Sequence, residues 1–149
     1  MKVAIIGSGI VGQATGIGFA TNGNTVIFHD INEEKLAKLT NLGYKTSEDL
    51  TETVANSQII FVCVPTPTVD NKIVLSYIQD CTRDIGSAIK KTKRYKLVVF
   101  RSTIPPQTTR TKLIPSLEIS SGMIAGHDFD VCTNPEFLRE KTPLEDFLN

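Results

Sequence analysis

The sequence predicts an α/β fold: a doubly wound parallel sheet in three layers, α/β/α, with residues 1–149 forming one domain. Three observations predict it. Apolar runs of strand length alternate with stretches of helical period along the whole chain. A glycine-rich turn, Gly7-Ser8-Gly9-Ile10-Val11-Gly12, stands between the first strand-like run and the first helix-like run. An acid, Asp30, closes the next strand-like run eighteen residues after Gly12.

Taken in order, Lys2-Val3-Ala4-Ile5-Ile6 is the first strand. Residues 10–21 follow as a helix, with Val11, Ala14, Ile17, Gly18 and Phe19 spaced to face the sheet and Gly16 and Gly18 allowing close packing. Asn22-Gly23-Asn24 stops that helix. Residues 25–30 are the second strand. Asn32 caps the next helix, and Glu33 and Glu34 suit its first turn because carboxylates favour the positive end of the helix dipole. A short strand at 43–45 and a helix at 47–56, opening with Ser47, Glu48 and Asp49, make the third unit.

Residues 59–64 read as a buried strand. Its continuation, Pro65-Thr66-Pro67-Thr68, cannot be helix, because proline lacks an N–H and restricts the residue before it. This loop stands at the carboxyl end of a strand, where doubly wound sheets bind ligands; it is either a cofactor contact or a rigid turn. A helix at 74–91 carries Leu75, Ile78, Cys81, Ile85, Ala88 and Ile89 as its inner stripe, and the lysines after it suit a helix carboxyl end. The strand at 97–100 ends in Arg101-Ser102-Thr103-Ile104-Pro105-Pro106, a second polar, proline-bearing loop. A helix at 107–117 is broken by Ser120-Ser121-Gly122, and a last strand at 129–133 leads into Asn134-Pro135-Glu136-Phe137-Leu138-Arg139-Glu140.

Composition excludes several classes. Lys plus Arg and Asp plus Glu both total 16, so no net charge draws the chain to nucleic acid or an anionic membrane. The apolar runs are too short to span a bilayer and the amino terminus is itself a strand, which makes a cytoplasmic location the expectation. Cysteines at 63, 81 and 132 have neither disulfide nor metal-ligand spacing, and no metal is expected. Cys63 and Cys81 read as small core residues, and Cys132 as either an inert thiol or a nucleophile.

The glycine turn has a specific chemical meaning in its setting between a strand and a helix. It brings backbone close to a pyrophosphate, and the helix that starts there presents unpaired N–H groups to it. This is the fingerprint of a Rossmann-type dinucleotide site, with Gly7, Gly9, Ile10, Val11 and Gly12 as its elbow. Asp30 is placed to accept hydrogen bonds from the adenosine ribose, and its charge would repel the extra phosphate of NADP. NAD is the expected cofactor.

Together, GSGIVG with Asp30, VPTPT at 64–68, STIPP at 102–106 and NPEFLRE at 134–140 with the trailing Asp146-Phe147 resemble the amino-terminal domain of the UDP-glucose/GDP-mannose dehydrogenase family. The resemblance covers essentially the whole chain, and NPEFLRE is its specific part. It implies oxidation of the C6 alcohol of a nucleotide-linked hexose to a carboxylate with two NAD, as in UDP-glucose 6-dehydrogenase or in members acting on N-acetylated sugars. It implies that Lys35 contacts the ribose side, Val11 packs on adenosine or pyrophosphate, and Thr66 and Thr68 line the other half of the cofactor. It implies that Thr103 lies beside the nicotinamide, where its hydroxyl can hold a water; a helix cap is its alternative and compatible role. Glu136 and Glu140, four apart and expected on one face of a helical turn, are implied as catalytic, Glu136 in proton transfer and Glu140 against nicotinamide or substrate. The alternative for that pair is a solvated acidic face. Glu136, Phe137, Leu138, Arg139 and Glu140 resemble the family's substrate-binding stretch.

One departure is larger than the rest. The family's nucleophilic cysteine, in a glycine-rich motif of a later domain, has no counterpart here, nor do the central dimerisation and carboxyl-terminal regions. The expectation is a truncated domain that binds NAD without completing turnover, from a family whose whole members form homodimers. A stand-alone NAD-binding or interaction module and the cofactor domain of a hydroxyacid dehydrogenase are the alternatives. Gln107 stands where the family often has glycine.

Overall fold

Six parallel strands, in spatial order Lys45–Thr46, Thr25–His29, Lys2–Ile6, Ile59–Val62, Leu97–Phe100 and Asp130–Thr133, form the centre of the computed structural model, which describes residues 1–149. The chain runs β1 (Lys2–Ile6), α1 (Ile10–Thr21), β2 (Thr25–His29), α2 (Glu33–Asn41), β3 (Lys45–Thr46), α3 (Leu50–Ala55) and β4 (Ile59–Val62). It continues with β5 (Thr68–Val69), β6 (Lys72–Ile73), α4 (Ser76–Thr92), β7 (Leu97–Phe100), a π-helical stretch at Thr109–Leu113, α5 (Ile114–Ser121), β8 (Asp130–Thr133) and α6 (Pro143–Leu148). From β1 the chain winds outward to β2 and β3, then returns to add β4 on the other side of β1. Connections therefore diverge between the carboxyl ends of β1 and β4, and a crevice opens there.

Strand alternation sends side chains to two cores. Val3, Ile5, Val26, Phe28, Phe61 and Val99 pack with Leu36 and Leu39 of α2 on one face. Ala4, Ile6, Ile60, Val62, Val98 and Phe100 pack with Val54 of α3, Ile78, Ile85 and Ile89 of α4, and Leu117 of α5 on the other. Full burial of such a side chain stabilises by about 1.5–3 kcal/mol, so both faces must be covered and the strands are apolar throughout.

Helix α1 packs Ile17 and Phe19 against the sheet core and buries Ala14, as expected, but small residues make its closest approach. Its buried residues are Gly12, Ala14, Thr15, Gly16 and Gly18, while Val11, Ile17 and Phe19 are only half-buried. The helix rests on the sheet through small residues: a Cβ on Gly16 would strike the Phe28 ring. Gly18 faces α6 instead, receiving the ring of Phe147, which also meets Phe19 edge-on at 5.5 Å.

Other boundaries moved for local reasons. The helix expected at 107–117 begins as a π-helical stretch and extends to Ser121, where Gly122 takes a left-handed φ of 69°. Pro115 has no N–H for the carbonyl of Thr111, and a wider turn accommodates that gap. The third strand is Lys45–Thr46, and the helix after it is shortened to Leu50–Ala55, capped by Asp49 accepting from the Glu52 N–H. β5 and β6 form an antiparallel hairpin that the sequence reading missed; its turn residues Asp70 and Asn71 have φ of 49° and 58°, as a type I′ turn requires. α6 was also unforeseen. No helix is long and apolar enough to cross a membrane.

Candidate functional site

A cavity of about 1030 Å³ occupies the crevice at the carboxyl ends of the strands. Its floor is the glycine elbow. Gly7 has a φ of 94°, and a Cβ there would stand 2.7 Å from the Cys63 carbonyl oxygen, so glycine is required on both counts. Gly12 lies beneath the cavity rather than on its wall, where a Cβ would strike the Gly7 carbonyl. Gly9 caps α1 with no side-chain acceptor, and no atom lies within 4 Å of where its Cβ would be. Gly9, Ile10 and Val11 of the first turn line the cavity, where a pyrophosphate would meet the unpaired N–H groups of a helix start.

Asp30 fastens this elbow. Its Oδ2 accepts from the Ser8 N–H at 2.6 Å, and its Oδ1 accepts from the Asn32 N–H at 2.9 Å. Lys35 Nζ stands 3.5 Å from Oδ2. Each oxygen has a lone pair left for a ribose hydroxyl. Asn32 holds Lys35 in place by capping α2, its side chain accepting from the Lys35 N–H at 3.2 Å.

The far end is built by the two proline loops and the segment after β8. Thr66 Oγ1 donates to the Thr103 carbonyl at 2.6 Å, and Ser102 Oγ donates to the Val64 carbonyl at 2.6 Å, so the loops after β4 and β7 are tied together. Arg101 donates to Asn134 Oδ1 and reaches over the Phe147 ring, linking β7, the start of the acidic segment and α6. Arg139 binds Asp146 through its guanidinium and, at 2.8 Å, its backbone N–H. That pairing holds the Asp146 carboxyl down at about 2.

Residues 134–140 have no helical backbone, which corrects the expected helical turn. Asn134 and Pro135 start the segment, and a proline drives its predecessor to extended geometry. Glu136, Leu138 and Glu140 nevertheless line the cavity, while Phe137, 93% exposed, and Arg139 do not. Alternate residues face the cleft, as in an extended chain.

Of the sequence-expected cofactor residues, Gly7, Gly9, Ile10, Val11, Asp30, Lys35, Thr66, Thr103 and Glu140 share one cavity wall. Thr68 is not among them: it is exposed in the β5-β6 hairpin. Thr103 caps no helix, since helical backbone resumes only near Thr109. Cys63 and Cys81 also line the cavity, each thiol pushed up to about 12, chiefly by burial. Cys132 is exposed at the end of β8 and does not reach the cleft. The sequence reading missed Ile31 and Arg101. Ile31, 96% exposed beside Asp30, carries the signal of an apolar side chain left in the open at a ligand-binding strand end.

Parallel sheet, glycine elbow, acid at the second strand end and open crevice define a dinucleotide-binding α/β domain. The model of the UDP-glucose/GDP-mannose dehydrogenase family, NAD binding domain, matches residues 1–48 and 40–149. The chain belongs to that family, as its NAD-binding domain, and NAD is its cofactor. It is 35% identical over 168 aligned positions to the GDP-mannose 6-dehydrogenase of Pseudomonas aeruginosa, covering 99% of this chain and 38% of that one. It is 32% identical to the UDP-glucose 6-dehydrogenase of Haloferax volcanii, covering 100% of this chain and 39% of the relative. Among solved structures, a ternary complex of GDP-mannose dehydrogenase from Pseudomonas aeruginosa superposes with a TM-score of 0.93 at 34% identity, over 99% of this chain and 38% of that one. A UDP-glucose dehydrogenase from Pyrobaculum islandicum gives 0.85 at 31% identity, over 98% and 38%. The chain thus spans well under half the length of these relatives. The two family matches overlap at residues 40–48, from the end of α2 through β3.

Proposed function

We propose that this chain supplies the NAD-binding half-site of a nucleotide-sugar 6-dehydrogenase, an enzyme that oxidises the C6 alcohol of a nucleotide-linked hexose to a carboxylate. The observation that carries this reading is the single cavity wall running from Asp30 and Lys35 to Thr103, Glu136 and Glu140. Asp30 and Lys35 would hold the adenosine ribose, and the first turn of α1 the pyrophosphate. Thr66 and Thr103 would flank the nicotinamide half. Glu136 and Glu140 would serve the substrate side, Glu136 moving a proton and Glu140 touching nicotinamide or sugar, with Leu138 between them.

NAD supplies the hydride acceptor when bound; the chain's own residues bind, orient and exchange protons. The two-step oxidation also needs a thiolate nucleophile. Burial keeps Cys63 and Cys81 as thiols, and Cys132 lies off the cleft, which supports a reading in which the nucleophile, much of the sugar pocket and a dimer interface belong to further regions. The relatives include enzymes of both GDP-mannose and UDP-glucose, so the proposal is made for the nucleotide-sugar class.

Calorimetric titration tests this reading. NAD should bind, with NADP at least about tenfold weaker, because the extra 2′-phosphate would face the Asp30 carboxylate. Neither UDP-glucose nor GDP-mannose should be oxidised by this chain alone. Absence of binding at millimolar NAD would overturn the assignment.

A further inference from the structure

Arg101 is a buried cation with no anion beside it. It is 8% exposed and follows Phe100 at the end of β7. Val99 packs on the α1 face of the sheet and Phe100 on the other, so Arg101 returns to the α1 face, at the mouth of the cleft it lines. One guanidinium N–H donates to Asn134 Oδ1, the group lies 5.6 Å from the centroid of Phe147, and Nε is buried without a hydrogen-bond partner. None of the ion pairs involves it.

A buried ion is costly, and arginine cannot escape the cost by losing its proton. A clamp between β7 and Asn134 would need only a neutral donor. The carboxylates that share this part of the cavity are Glu136, Glu140, Asp80 and Asp84, none within ion-pair distance of Arg101, and Cys63, near both Arg101 and Glu136, is a neutral thiol. The positive charge of Arg101, shared with no ion-pair partner, therefore acts on whatever occupies the far end of the cavity.

We propose that Arg101 is a redox-selectivity residue: its unpaired charge disfavours the cationic ring of oxidised NAD relative to the neutral ring of NADH. This rests on the reading above, in which the nicotinamide lies by Thr103 and Glu136. Weaker hold on the oxidised ring raises the reduction potential of the bound cofactor, by about 30 mV for each tenfold in the affinity ratio, and so favours hydride acceptance.

The test is the ratio Kd(NAD)/Kd(NADH), from calorimetry and from NADH fluorescence, for the wild-type chain, Arg101→Gln and Arg101→Lys. Arg101→Gln should lower the ratio by between about threefold and thirtyfold, the range for one charge at nearby distances in a partly screened site. Arg101→Lys keeps the charge and should hold the ratio within about twofold. Should Arg101→Gln fail to fold, Asn134→Asp places a carboxylate on the intact guanidinium and should lower the ratio in the same direction. An unchanged ratio in the folded variant, with both affinities falling together, overturns the inference and leaves a structural clamp. Loss of binding of both nucleotides by the wild-type chain overturns the NAD site itself, a different result from an unmoved ratio.

Discussion

The backbone N–H of Ser8 donates a 2.6 Å hydrogen bond to Oδ2 of Asp30, so the residue expected to hold the ribose also fixes the elbow expected to hold the pyrophosphate. Both groups are buried. The two ends of the proposed adenosine diphosphate site are therefore one mechanical unit, and a change at Asp30 reaches both.

Asp30→Asn tests that unity. An amide offers one oxygen where the carboxylate offers two, while the Ser8 and Asn32 N–H groups each need an acceptor. One N–H is left facing an NH2 group, at a cost of about 1–3 kcal/mol. The variant should unfold at a lower temperature and bind NAD at least about tenfold more weakly. A substitution that weakened NAD while leaving the melting temperature unchanged would show that ribose contact is the only role of Asp30.

Gly9 and Gly12 separate fold from function. A Cβ on Gly12 meets the Gly7 carbonyl, backbone that cannot step aside, so Gly12→Ala should destabilise by about 1–3 kcal/mol. A Cβ on Gly9 meets nothing in the protein and stands in the cavity. Gly9→Ala should keep its stability within about 1 kcal/mol of wild type, alanine being tolerated at a non-glycine φ, yet lose NAD affinity. The pair of thermal scans and titrations checks both.

Thiol chemistry should rank the three cysteines. Burial holds Cys63 and Cys81 at about 12, so almost no thiolate exists at neutral pH, whereas Cys132 is exposed. Iodoacetamide at pH 8 should label Cys132 first by mass spectrometry, with Cys63 and Cys81, half-buried thiols in the cavity lining, reacting far more slowly. Equal rates would contradict the packing at the ends of β4 and α4.

The sheet and elbow were legible because their causes are local: apolar runs, glycine spacing and an acid at a strand end. The acidic segment was less so. Glu136 and Glu140 reach the site, but along extended backbone, because Pro135 and the Arg139 pairing with Asp146 override a four-residue helical spacing. Thr68 failed for a similar reason: a loop reading had no way to see that Asp70-Asn71 would fold it into a hairpin. Arg101 was invisible because its interest lies in what surrounds it.

Gln107 is a case where the sequence held a clue. It stands at a family glycine position and adopts a φ of 70°. A left-handed backbone costs a residue with a Cβ about 1–2 kcal/mol, partly offset by the greater freedom glycine has when unfolded. Gln107→Gly should therefore raise stability by up to about 1 kcal/mol in denaturant titration. A loss of stability would mean that the Gln107 side chain contributes contacts exceeding its backbone strain.

Acid should release the segment carrying Glu136 before it unfolds the sheet. The Asp146 carboxyl sits near 2 because the Arg139 guanidinium and N–H both bind its charged form. A depressed folded value contributes stability that is present above the unfolded carboxyl range, near pH 4, and is lost as pH falls toward 2. The protection factor of the Arg139 amide, corrected for the intrinsic pH dependence of exchange, should accordingly be high above pH 4 and fall below it, while amides of β1 and β4 stay protected. Asp146→Asn should abolish that pH step and leave the segment loose at every pH; a step that survives the substitution would assign it to another carboxylate.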